Sequence, residues 1–180
     1  MKILKPSLEE LPKLARDKEK ESRQFFKMLK RRTPKNLDYL VSDLHDEEFE
    51  KTDCLTCANC CKTTSPMFTH VDINRIAKHL GMREMQFIDK YLDQDDDDYM
   101  VLKEMPCAFL DTDNSCFIYD VRPKACKEYP HTNRRKFIQL AEITVKNTSV
   151  CPAAYNIVEA LKEELLNKLD RKGKSKKKRG

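Results

Sequence analysis

The sequence predicts a small, mostly helical α+β domain with a β-hairpin, preceded by a helical N-terminal arm. Three observations carry this. Apolar residues recur at helical spacing over most of the chain. Short strand-like runs interrupt them after residue 99. Eight cysteines fall between residues 54 and 151, in a chain that is 36% charged and has a modest supply of core residues.

The elements follow in order. Ser7 and Glu10 are spaced as a capping box, and Leu8, Leu11 and Ala15 begin a helical stripe. Pro12 fits only a first turn. The helix should run through Phe25, Phe26 and Leu29 to about Arg32, where Thr33–Pro34 breaks it. Leu37, Leu40, Val41 and Leu44 mark a second helix. Thr69 and Asp72 announce a third, with Val71, Ile73, Ile76, Ala77 and Leu80 as its apolar positions and Gly81 as its C-terminal cap. Met85, Ile88 and Leu92 mark a fourth, and Asp95–Asp98 a solvated loop. "YMVLKE", "CAFLD" and "CFIYD" look like strands, the last two joined by the turn "DTDNS". "VRPKACKEYP" reads as a loop or short helical turn, and "FIQLAEITV" as a strand. Pro152 opens a final helix carrying Ile157, Val158, Leu161, Leu165 and Leu169. The expected organisation is a helical arm over 1–52, a cysteine-cluster domain over 53–153, a helix over 154–170 and a disordered basic tail over 171–180.

The formal charge of +5 belongs to that tail. Its ten residues, "RKGKSKKKRG", hold seven of the 35 Lys and Arg, leaving 28 against 30 acids, or −2, in the body. The folded part therefore carries no strong nucleic-acid signal, and the tail is expected to make at most weak contacts with anions. Only three glycines occur, so glycine-rich phosphate and dinucleotide loops are excluded. No apolar run has the roughly 18 residues of a membrane span, and the opening "MKILKPSLEELPK" has no secretory core. A cytoplasmic setting is expected, where clustered cysteines serve metals more often than disulfides.

The cysteines have the pattern C-x2-C-x2-C-C at Cys54, Cys57, Cys60 and Cys61, followed by Cys107, Cys116, Cys126 and Cys151. Each C-x2-C step brings two thiolates to one centre, and a distant fourth completes the four-thiolate set of zinc and iron–sulfur sites. All eight are candidate ligands. Adjacent side chains tend to diverge, so Cys60 and Cys61 imply either two centres or one ligand and one bystander. Three thiolates linked by x2 spacers favour an iron–sulfur cluster, with Zn2+ the alternative. Arg122 is placed to offset thiolate charge, with His131 and Tyr119 beside it in the outer shell. His70 and His79 read as structural.

These motifs resemble the YkgJ-type CxxCxxCC family, described as a zinc- or iron-chelating domain. The resemblance covers roughly residues 53–153 and rests on "CLTCANCC", Pro106-Cys107 with Phe109 and Leu110, Cys116 with Ile118 and Tyr119, Arg122-Pro123, Cys126 and Tyr129-Pro130. It implies a metal-stabilised cysteine domain. A similar cysteine domain belongs to flagellin lysine methylases, which implies an iron–sulfur redox, sensor or enzyme-subunit role as one alternative. Zinc or iron handling is another. No nucleophile–base pair or methyl-donor loop marks an enzyme, and the sequence names no partner.

Overall fold

A computed structural model describes residues 6–177, with side chains over residues 6–166. The chain divides into two compact units, one of residues 1–52 with 130–180 and one of residues 53–129.

The first unit is helical. It holds α1 (Leu11–Arg31), α2 (Leu37–Phe49), α8 (Ala141–Asn147) and α9 (Pro152–Lys177). The Ser7 hydroxyl and Glu10 carboxylate bond reciprocally just ahead of α1, as their spacing predicts. Phe25, Phe26 and Leu29 of α1 join Leu37, Leu40 and Val41 of α2 in one core with Phe137, Ala141, Val145, Ile157, Val158 and Leu161. "FIQLAEITV" is not a strand. Phe137–Leu140 is a 3-10 turn leading into α8. Phe137, Ala141 and Val145 lie four apart and are all buried, while Ile143 is exposed, so the helical period overrides β-rich composition. Asp38 fixes this turn by accepting the amides of Lys136 at 2.7 Å and Phe137 at 3.1 Å. Residues 178–180, and the side chains of 167–180 with Leu169 and most of the expected tail, lie outside the description.

The second unit carries α3 (Cys54–Cys57), α4 (Asn59–Thr63), α5 (His70–His79), α6 (Glu84–Tyr91), β1 (Leu92–Gln94), β2 (Met100–Leu102) and α7 (Lys124–Glu128). β1 and β2 are antiparallel, with Leu92 opposite Leu102 and Gln94 opposite Met100. The hairpin therefore closes through the acidic run. Asp95 Oδ1 accepts the amides of Asp97 and Tyr99, and Asp98 takes a positive φ of 62°. The hairpin expected around "DTDNS" shrinks to a single bridge, Leu110 with Cys116. Side chains of Asp111 and Asp113 bond the turn's own amides, and "CFIYD" leaves extended geometry for a 3-10 turn at Tyr119–Val121. α5 starts in a full Thr69/Asp72 capping box. It ends with Gly81 at φ +66°, the amides of Gly81 and Met82 returning to Lys78 and Ala77. Two positions expected in the apolar stripes, Val71 and Met85, are exposed. Burial falls on the expected Ile73, Ile76 and Leu92, the last in β1 rather than in α6, and also on Phe87, Leu102, Phe109 and Ile118. Phe87 and Phe109 stack with ring centroids 6.0 Å apart.

Candidate metal centre

All eight cysteines lie among the described residues, and none is in a disulfide. Seven belong to the second unit and Cys151 to the first.

The CxxCxxCC stretch folds as two single-turn helices with a sharp joint. Asp53 caps α3 by accepting the Leu55 amide at 2.9 Å. Ala58, buried and in the left-handed region at φ 45°, ends α3 and begins α4. The joint turns the chain back, so the later cysteines of the motif do not continue one straight helix. On α4 the Cys60 and Cys61 sulfurs lie 4.0 Å apart. Their side chains therefore converge, against the divergence expected for neighbours in sequence.

The later cysteines reach this stretch from three segments. The Cys107 amide donates to the Cys61 carbonyl at 2.8 Å. Cys107 and Cys116 pack against the core through Phe109 and Ile118. Cys126 rides on α7, whose position is set from α5. Asp72, fully buried, accepts the Lys124 amide at 3.0 Å and the Arg75 guanidinium at 2.6 Å. Arg75 in turn donates to the carbonyls of Val121 at 3.2 Å and Arg122 at 2.9 Å. This clamp holds the segment between Cys116 and Cys126. The sequence marked Asp72 only as a capping residue; the visible signal was the Asp-x-x-Arg spacing within α5.

The thiols also feel one another. Burial pushes the Cys126 thiol up to about 12, and the charges of Cys61, Cys107 and Cys116 add to it. Burial raises Cys107 to about 11, with Cys61 and Cys116 contributing. Cys54 and Cys116 move up through burial and through Cys61. Cys61 is the exception: the hydrogen bond from Cys60 lowers it to about 7 against its burial, helped by Lys62. Arg122 works against the rise at Cys54, Cys116 and Cys126. Its guanidinium lies 3.8 Å above the Tyr119 ring and donates to the Tyr119 carbonyl at 2.6 Å.

Two further expected site residues belong to the first unit. Cys151 accepts the Ala154 amide on its sulfur at 3.4 Å and so caps α9. His131 belongs to the first unit and has a positive φ of 68°. His70, expected as a structural residue, is 83% exposed and lies 3.6 Å from Glu84.

These residues fit a soft metal by donor type, since thiolates select zinc and iron–sulfur centres. Two thiolates on one tetrahedral ion at about 2.3 Å stand roughly 3.8 Å apart, close to the Cys60–Cys61 separation of 4.0 Å. Among the described residues, no group of three or more His, Cys, Asp or Glu is already gathered to hold an ion.

A unit of short helices and a two-stranded hairpin, with seven thiols and a guanidinium that lowers the pKa of three of them, defines a metal-binding cysteine protein. The chain belongs to the CxxCxxCC family, described as "Putative zinc- or iron-chelating domain", whose model matches residues 53–152. That span includes Cys151. No curated protein and no solved structure matches the chain. Among the described residues no helix is long and apolar enough to cross a membrane.

Proposed function

We propose that the second unit binds its metal through thiolates centred on Cys61. The carrying observation is the 4.0 Å separation of Cys60 and Cys61, which supports both as ligands of one ion. Cys54, Cys107, Cys116 and Cys126 are the first candidates to complete the set, because each interacts electrostatically with Cys61. Cys57 supplies the remaining thiol of the motif. Arg122 offsets the charge that such a set accumulates, with Tyr119 holding its guanidinium. Cys151 serves as the cap of α9, and His131 stays outside the ligand set.

The bound group is an iron–sulfur cluster or Zn2+. The x2-linked thiolates favour the cluster, while the close vicinal pair suits a single tetrahedral ion equally well. Uptake must draw the thiols closer than they stand, so metal binding and local ordering are coupled. The role that follows is metal binding in a cytoplasmic protein, with no catalytic step assigned. A cluster would carry electrons or sense their supply; zinc would stabilise the fold or be passed on.

Metal and acid-labile sulfide analysis of protein purified without oxygen decides between the two. A brown protein with sulfide supports the cluster, and a colourless one with stoichiometric zinc supports the ion. Protein that holds neither metal after reconstitution overturns the proposal.

A further inference from the structure

The first unit gathers positive charge that the overall balance hides. Lys30, Arg31, Arg32 and Lys35 follow one another at the end of α1 and into the turn before α2, and all are exposed. Arg134, Arg135 and Lys136 form a second exposed basic run, about a hundred residues later. Asp38 joins the two runs. It lies three residues after Lys35 and accepts the Lys136 amide at 2.7 Å and the Phe137 amide at 3.1 Å. Phe137 is anchored on the other side by the Phe26 ring, 5.9 Å away. Asp38 is the one acid in residues 30–39 and 132–137, and its oxygens are engaged by those amides. Next to it, Tyr39 is 77% exposed.

A charge at a helix C-terminus complements the helix dipole, which accounts for Lys30 and Arg31. Arg32 is the C-cap of α1 and is accounted for in the same way; Lys35 and the second run are not. Repulsion among Lys30, Arg31, Arg32, Lys35, Arg135 and Lys136 opposes folding, and a polyanion would relieve it. The apolar side of α1 is committed to the core through Phe25, Phe26 and Leu29, so this surface has no amphipathic face to insert into lipid. Exposed cations beside a solvent-facing tyrosine match what a single strand requires: phosphate neutralisation plus a ring on which a base stacks.

We propose that this surface of the first unit binds single-stranded nucleic acid, with the two basic runs on phosphates and Tyr39 on a base. This site is independent of the cysteine centre and of the basic tail.

The test is fluorescence anisotropy of the full chain with a labelled 12-nucleotide RNA over a salt series. A variant carrying Arg31→Gln, Arg32→Gln, Lys35→Gln and Arg135→Gln is expected to bind at least tenfold more weakly. Each lost phosphate contact removes about 0.7 from the salt slope, so the slope should fall by up to about 3. Tyr39→Ala should weaken binding about fivefold or more with the slope unchanged. All changes are at exposed positions, and circular dichroism checks that the helices persist. Deleting residues 171–180 should leave the difference between wild type and the fourfold variant intact. The proposal is overturned if RNA binding is absent, if the loss follows the tail deletion alone, if duplex is preferred, or if only phosphatidylserine vesicles bind.

Discussion

The backbone amide of Cys107 donates to the carbonyl of Cys61 at 2.8 Å. A single main-chain bond thus joins the CxxCxxCC turn to a segment 46 residues later. Because it uses no side chain, it leaves both thiols available to a metal while fixing how far apart their backbones stand.

Changing either member of the vicinal pair should empty the centre. Cys60→Ser and Cys61→Ser are each expected to lower bound metal per chain by more than half in the full protein. Elemental analysis reads the result. Wild-type metal content in either variant would make that residue a bystander.

Cys151 should respond differently. As the cap of α9, it should tolerate Ser, which is a better cap, whereas Ala leaves the Ala154 amide without this acceptor. Cys151→Ser should therefore keep both metal and melting temperature, and Cys151→Ala should keep metal but melt earlier. Loss of metal in the serine variant would return Cys151 to the ligand set.

Removing the Asp72 carboxylate breaks a buried ion pair and uncaps α7 together. Asp72→Ala is expected to cost about 3 kcal/mol, measured by urea unfolding. The same carboxyl gives a pH signature. Burial raises its pKa, but bonds from Thr69, Arg75 and the amides of Thr69 and Lys124 outweigh this and hold it below 3.8. A depressed folded pKa means its contribution is present above the unfolded value and is lost as pH falls through the folded one. Wild-type stability should therefore drop below about pH 4, and Asp72→Asn should lack that part of the drop.

Arg122→Gln removes the charge that favours thiolate at Cys54, Cys116 and Cys126. Metal binding requires deprotonated thiols, so affinity at neutral pH should fall several-fold and recover as pH rises. A competition titration with a chromogenic chelator at two pH values measures this. An equal loss at both would point to a packing role.

Phe137→Ala tests the place of Phe137 in the core of the first unit. Phe137 is fully buried, and its truncation should cost about 4 kcal/mol. A cost under 1 kcal/mol would place its side chain outside the core.

Much of this protein was legible in one dimension. The caps at Ser7, Thr69 and Gly81 act within a few residues, so local chemistry sufficed to place them. The helices through Phe26, Val41 and Ile157 announced themselves by period. The cysteine spacing and its linked motifs identified the family and the type of donor. Of the four runs expected as strands, "CAFLD", "CFIYD" and "FIQLAEITV" failed, because strand-like composition is a weak guide where burial and turn bonds decide. Ala141 and Val145 were needed beside Phe137 in a helical core, and Asp111 and Asp113 bonded their own turn before any ladder could extend.

What the sequence alone determined was the donor chemistry: thiols at fixed short spacings, whose affinity for soft metals depends on atom type. Tertiary structure decided everything that depends on distance between remote residues. It brought the Cys60 and Cys61 sulfurs within 4.0 Å, gave Asp72 and Arg75 the task of positioning Cys126, and put the Cys151 sulfur on the Ala154 amide. It also drew the Lys136 and Phe137 amides onto Asp38, about a hundred residues earlier in the chain. Charge and coordination both act through space, so a count along the chain cannot supply what only folding brings together.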